Sequence, residues 1–133
     1  VAGTRSSAAY ATGAVTGVVD FGDLVLAPRV NELAIAASYF ITPRDDPVAA
    51  VAEMLAEAAP FVRLTQAELL LLPDLIRARL ATRILLSTWR AGLFPENAAY
   101  ILRSNTAAWA LWARLEGEGD MAPHLAALAG ETA

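Results

Sequence analysis

Apolar residues recur at helical spacing through most of the chain after residue 28. The spacing predicts a first helix from Pro28 to about Ile41, with its apolar positions on one face: Val30, Leu33, Ala34, Ala37 and Phe40. Asp46 is a predicted N-cap, and Pro47 is the predicted first residue of a second helix that stops before Pro60. The first half of the helical region therefore contains two helices separated by a proline-rich break.

The second half of the chain is also predicted to be helical. Residues 65–68 form a capping box, Thr-Gln-Ala-Glu, at the start of a leucine-rich stretch. Pro73 is expected to restart that stretch as a separate helix to about Arg90, which Gly92 ends. A further helix over residues 95–115 and a short one over residues 121–128 complete the prediction.

The first 24 residues have a different pattern, with glycines among β-branched residues. Residues 14–21 are typical of a strand, and residues 8–12 are its candidate hairpin partner. We therefore expect a mainly α fold, in which a short N-terminal β-hairpin precedes a bundle of four to six helices. Residues 1–133 would form a single partial domain, with the hairpin and a metal-binding turn in residues 1–24 and a helical subdomain in residues 25–133.

Composition excludes several classes of protein. The chain has 133 residues, and the ten basic residues are all arginine, which excludes lysine-dependent phosphate loops and Schiff-base chemistry. It contains no cysteine and one histidine, so it has neither a thiolate nucleophile nor a His-rich metal site. The net charge of −4 argues against nucleic acid as a partner. No uncharged run reaches the roughly 18 apolar residues of a membrane span, so we expect a cytoplasmic protein with no membrane partner.

The segment with the clearest chemical potential is the end of the predicted strand. The apolar run stops at Asp20, Gly22 permits a sharp turn, and Asp23 follows directly. Magnesium takes one or two protein carboxylates and completes its shell with water and substrate phosphates. Asp20 and Asp23 are therefore candidate metal ligands. An ordinary structural turn accounts for the same pattern, and in that case Asp23 caps the following turn.

The residues around this turn resemble the aminoglycoside phosphotransferase and choline kinase-like family, in particular its hydroxylysine kinase and homoserine kinase branch. The resemblance is carried by residues 15–25 and 27–36, and by the leucine-rich segments 64–69, 72–76 and 79–81. It spans residues 8–116 approximately, but corresponds only to the C-terminal lobe of this protein kinase-like fold. It implies that Asp20 binds the magnesium ion that bridges the phosphates of ATP, with Asp23 as the second candidate.

One family motif has no counterpart in this chain. Family members carry a catalytic loop, His-x-Asp-x-x-x-x-Asn, just before the metal strand, and residues 1–7 do not match it. Three explanations remain open: a fragment whose loop lies upstream, a frameshift or wrongly chosen start, and a degenerate remnant. We therefore assign no catalytic residue, and we expect that these 133 residues alone do not transfer phosphate.

Two functions follow as alternatives. The first is the C-terminal part of an ATP-dependent kinase that phosphorylates a hydroxyl of an amino alcohol, hydroxy amino acid or aminoglycoside. In this case the partner of the chain is a small-molecule substrate, for which a positive charge is one option. The second is a non-catalytic helical module. An exposed apolar surface, and hence pairing with a second copy or with an N-terminal lobe, is expected in both.

Two groups of side chains have both a functional and a structural interpretation. The aromatic residues either form a cage for an ammonium group or pack in the core or against a missing lobe, and we favour packing: Trp89, Tyr100, Trp109 and Trp112. The arginines are either an anion patch or a solvated face partly paired with Glu68 or Asp74, and we favour the solvated face: Arg77, Arg79, Arg83 and Arg90.

Overall fold

The computed structural model describes residues 17, 19–20, 22, 24–42 and 45–131, and within these ranges all regular structure is helical. The described residues contain six α-helices and one 3-10 helix: α1 (Arg29–Phe40), α2 (Pro47–Ala58), α3 (Gln66–Leu93), the 3-10 helix (Pro95–Asn97), α4 (Ala98–Leu102), α5 (Asn105–Gly117) and α6 (Ala122–Glu131). None of the described helices combines the length and the apolar composition that a membrane span requires.

Local capping residues set where α2 and α3 begin. Asp46 Oδ1 accepts hydrogen bonds from the backbone N–H groups of Val48 and Ala49, at 2.9 and 3.0 Å. The Thr65 hydroxyl accepts the backbone N–H of Glu68 at 3.3 Å, while the Glu68 carboxylate accepts the Thr65 N–H at 2.7 Å. Each interaction satisfies N–H groups that have no partner inside the helix. Both helix starts predicted from the sequence are confirmed.

The long helix α3 is the centre of the fold. Leu72, Ile76, Leu80 and Ile84 recur every four residues, so they form one stripe along the helix, and all four are buried. α1, α4, α5 and α6 all pack against α3, while α2 packs against α1 and α6. The buried side chains of α1, α2, α5 and α6 form a single hydrophobic cluster with the α3 stripe.

Two predicted helix boundaries are wrong. Pro73 lies inside α3, which runs without a break from Gln66 to Leu93 and therefore also passes Gly92. Proline removes one hydrogen bond of the helix, but Pro73 and its neighbour Leu72 are buried, so tertiary packing stabilises the continuous helix. The predicted helix over residues 95–115 is instead divided into the 3-10 helix, α4 and α5.

The predicted N-terminal β-hairpin is not found. Residues 8–16, 18 and 21 of the predicted strands lie outside the described residues, and residues 17, 19 and 20 form no strand. Asp20 has a φ of 73°, which is incompatible with extended backbone, and Val19 is 86% exposed. A strand is stable only where one face packs on a core, and Val19 has no such contact. The mainly α class is correct and the hairpin is not.

Candidate functional site

Asp20 occupies an unusual backbone conformation. It is the one non-glycine residue in the described part of the chain with a positive φ, in the left-handed region. Aspartate tolerates this conformation better than most residues, although it still costs free energy. Its side chain is exposed and makes no hydrogen bond or ion pair with another described residue. Among the described residues, the Asp20 carboxylate is therefore exposed and has no protein partner.

Asp20 supplies one candidate oxygen ligand for a metal ion among the described residues. The described residues contain no group of three or more histidine, cysteine, aspartate or glutamate side chains that would hold a metal ion. Asp23, the second predicted ligand, lies outside the described residues. A single exposed carboxylate suits magnesium, which keeps several waters and takes further oxygens from substrate phosphates. The exposed Asp20 carboxylate is thus compatible with one ligand position of a magnesium ion.

The segment that follows Asp20 is anchored to the helical body at Arg29. The Arg29 guanidinium donates from Nε and Nη2 to the two carboxylate oxygens of Glu68, each at 3.2 Å. These hydrogen bonds, together with those from the Thr65 backbone and hydroxyl, lower the pKa of Glu68 from its usual 4.5 to about 2. Glu68 is therefore ionised at neutral pH and joins the start of α1 to the start of α3.

An acidic depression lies between the end of α1 and α2. It has a volume of about 290 Å³ and is lined by Phe40, Asp45, Asp46, Glu53 and two alanines of α2. Asp45 accepts the Thr42 backbone N–H at 2.7 Å, and Asp46 caps α2, so both carboxylates are held in place. Their negative charge would attract a cation. Sequence reasoning missed this site, because it depends on how α1 and α2 pack; the Asp45-Asp46 pair was the available signal.

Of the four aromatic residues predicted to pack, one lies against the core and three are exposed. Trp112 packs against the core, as the packing interpretation predicts. Trp89, Tyr100 and Trp109 are instead 62%, 68% and 56% exposed, so they are not core residues of this structure, and their packing against a missing lobe stays a prediction.

Two of the four α3 arginines, Arg77 and Arg83, contact other parts of the fold. Arg77 forms an ion pair with Asp74 at 3.2 Å and donates to the backbone carbonyls of Leu115 and Gly119. Arg83 lies over the ring of Tyr39, 4.7 Å from its centroid. The predicted pairing with Asp74 is confirmed. Glu68, the other predicted partner, binds Arg29 instead.

Comparison with known proteins places these features in a family context. The Phosphotransferase enzyme family (APH) matches residues 9–65, which include the Asp20 turn, α1 and α2. Hydroxylysine kinase from Mus musculus is 26% identical over 106 residues, which cover 80% of this chain and 28% of that protein. The proteins of the same name from Xenopus laevis and Bos taurus are each 28% identical over 95 residues, 71% of this chain and 25% of theirs. No solved structure gives a match.

These matches confirm the resemblance to the phosphotransferase family, and within it to hydroxylysine kinases, that the sequence motifs indicate. The chain spans about a quarter of the length of the curated relatives it matches.

Proposed function

We propose that this chain is the C-terminal part of an ATP-dependent small-molecule kinase that transfers the terminal phosphate of ATP to a substrate hydroxyl. The observation that carries the proposal is the family match over residues 9–65, because this range contains the one exposed, left-handed aspartate of the described chain. The similarity to hydroxylysine kinases over 71–80% of the chain extends the support beyond that range.

Asp20 is the magnesium ligand in this proposal, and Asp23 is the second candidate. Magnesium bound with ATP neutralises the charge on the phosphates and helps to position the transferred group. The role of the chain in this proposal is to present the Asp20 carboxylate at a turn upstream of α1, whose first residue, Arg29, is bound by Glu68.

The proposed substrate is an amino alcohol, a hydroxy amino acid or an aminoglycoside. Two observations support this class. The matched relatives are named for a hydroxylated amino acid. The depression lined by Asp45, Asp46 and Glu53 carries negative charge that would favour a cationic amine.

We further propose that the 133 residues do not transfer phosphate by themselves. Residues 1–7 contain no His-x-Asp-x-x-x-x-Asn motif, so no side chain in that position can accept the substrate hydroxyl proton. The second candidate function is a non-catalytic helical module, which corresponds to the degenerate remnant among the three explanations of the missing motif.

Nucleotide binding distinguishes the two functions. We expect the wild-type chain to bind a fluorescent ATP analogue more tightly with magnesium than without, and Asp20→Asn to lose that gain. Asparagine tolerates a positive φ as aspartate does, so this substitution removes the charge and keeps the turn. Glu57→Gln, which neutralises an exposed carboxylate on α2, is the matched control and should bind like the wild type.

Each contrary result has a defined meaning. Magnesium-dependent binding that persists in Asp20→Asn would show that Asp20 is not the ligand. A wild-type chain without any magnesium-dependent nucleotide binding would favour the helical module. Phosphate transfer by the chain that disappears in Asp20→Asn would disprove the proposed inactivity.

A further inference from the structure

Two arginines of α3 lie side by side without a negatively charged partner. Arg79 and Arg83 are four residues apart, so they lie on neighbouring turns of the same side of the helix, with their Cβ atoms about 6 Å apart. Both are half-buried, whereas Arg90, farther along the same side, is exposed, so the solvated-face interpretation fits Arg90 but not this pair. All acidic side chains except Asp23 and Glu131 are described, and none of these forms an ion pair with either arginine.

The position of this pair in the fold follows from two contacts between α1 and α3. Arg29, the first residue of α1, binds Glu68 in the first turn of α3, and Tyr39, near the end of α1, lies under Arg83. The two helices therefore run in the same direction, and the arginine pair lies beside the last turns of α1. The acidic residue of α1, Glu32, is two turns nearer the start of that helix and forms no ion pair with a described residue.

The contacts of each arginine leave its positive charge unbalanced. Arg83 lies over the Tyr39 ring and donates from Nη2 to the Ser104 carbonyl at 3.5 Å, and both of these partners are neutral. Arg79 makes no hydrogen bond or ion pair with a described residue, and its Nε is buried from solvent. Like charges at this spacing repel each other, and partial burial removes water that would stabilise them, so the pair costs free energy. An anion held by both guanidinium groups offsets that cost.

We propose that Arg79 and Arg83 form a binding site for a phosphate group, either free or as the monoester of a small molecule. A phosphate group carries close to two negative charges, one for each arginine, and its oxygens match the paired N–H donors of a guanidinium. The Nη atoms of Arg79, and the Nε and Nη1 of Arg83, have no acceptor among the described residues and are available for these oxygens. The net charge of −4 disfavours a polyanion as the ligand.

Isothermal titration calorimetry with inorganic phosphate tests the site, at constant ionic strength so that general screening does not contribute. We expect the wild-type chain to bind phosphate and Arg79→Gln to bind it about tenfold or more weakly, because this variant loses one of the two charges. Arg79→Lys keeps the charge but not the planar donor pair, so its affinity should lie between the two. Arg63→Gln is the matched control: Arg63 is exposed, precedes α3 and pairs with no described residue, so this variant should bind like the wild type.

Urea unfolding separates ligand binding from a structural role of Arg79. In phosphate-free buffer, Arg79→Gln should be at least as stable as the wild type, because it removes one of two like charges. Added phosphate should raise the unfolding midpoint of the wild type and leave that of Arg79→Gln nearly unchanged. Asp20→Asn should respond to phosphate like the wild type, so this result does not depend on the proposed magnesium ligand.

A titration with glycerol phosphate distinguishes the two sources of the phosphate group. Tighter binding than inorganic phosphate assigns the site to a monoester, and weaker binding assigns it to free phosphate. A wild-type chain that binds neither compound would disprove the site, and so would binding that Arg79→Gln and Arg63→Gln weaken equally or not at all. A loss of stability in Arg79→Gln without phosphate would show that Arg79 has a partner within the protein and would also overturn the proposal.

Discussion

Arg29 and Glu68 are 39 residues apart and form a bidentate pair, with both carboxylate oxygens of Glu68 bound by the guanidinium of Arg29. Arg29 is the first residue of α1, and Glu68 lies in the first turn of α3. The same carboxylate accepts the backbone N–H and the hydroxyl of Thr65. One side chain therefore caps α3 and fixes the point at which the segment from Asp20 enters the helical body.

Glu68→Gln should make the protein less sensitive to acid. The Glu68 pKa is about 2 in the folded protein and 4.5 without these partners, so its charge stabilises the fold fully above pH 4.5. This stabilisation is lost as the pH falls from 4.5 towards 2. The free energy of unfolding in urea should therefore differ between wild type and Glu68→Gln above pH 4.5, and the difference should shrink towards pH 2.

The exposed carboxylate of Glu57 provides the control for this pH dependence. Glu57→Gln removes the same kind of charge from the surface of α2 and should follow the wild type throughout. If the difference in free energy of unfolding between wild type and Glu68→Gln stayed constant with pH, the ion pair with Arg29 would not lower the pKa of Glu68 in solution.

The cap at Asp46 predicts a second measurable loss. Asp46→Ala removes the acceptor of the Val48 and Ala49 N–H groups and should lower the free energy of unfolding by about 1 kcal/mol. Asp46→Asn keeps a capping oxygen, so its free energy of unfolding should fall by only about a few tenths of a kcal/mol. Urea unfolding of both variants tests this. Equal losses would show that the charge of Asp46, and not its hydrogen bonds, stabilises α2.

Some of the fold could be predicted because the signals are local. Asp46 and the capping box at Thr65 act within one turn of their own helices, so the sequence contains everything that determines them. The continuity of α3 through Pro73 could not be predicted in this way. It depends on the packing of α1 and α6 against the same helix, which no pattern around Pro73 reveals.

The candidate site, too, could be predicted only where its signals are local in the sequence. The motif around Asp20 could be recognised from residue types and their order. Its positive φ could not, because aspartate occurs in both strands and turns, and the strand interpretation was wrong for this reason. The depression beside Phe40 depends on the packing of α1 against α2, so it became visible only in three dimensions. Phe40 itself was assigned to the buried face of α1, but it is 50% exposed at the end of that helix.

The central stripe of α3 should dominate stability. Leu80 is completely buried, so Leu80→Ala should lower the free energy of unfolding by about 2–5 kcal/mol, through lost burial and the cavity that remains. Leu24→Ala removes the same atoms from a side chain that is 73% exposed and should cost less than about 0.5 kcal/mol. Denaturant unfolding compares the two. Similar losses would contradict the position of α3 at the centre of the core.

The stacking of Arg83 on Tyr39 predicts a loss that depends on the aromatic ring. Arg83 lies 4.7 Å from the ring centroid of Tyr39 at the end of α1, and its Nη2 donates to the Ser104 carbonyl at 3.5 Å. Tyr39→Ala should therefore lower the free energy of unfolding by about 1 kcal/mol, since it removes the cation–π contact between α1 and α3. Tyr39→Phe keeps the ring, so it should change the free energy of unfolding little.

A second cation–π pair provides the control for this experiment. Arg103 lies 3.9 Å from the ring centroid of Tyr100, but these residues are neighbours on one turn, so their contact joins no two helices. Tyr100→Ala should consequently cost less than Tyr39→Ala in the same urea titration. If Tyr39→Phe lowered the free energy of unfolding as much as Tyr39→Ala does, the hydroxyl and not the ring would be the stabilising group. Equal losses for Tyr39→Ala and Tyr100→Ala would mean that the contact between α1 and α3 adds nothing beyond the local stack.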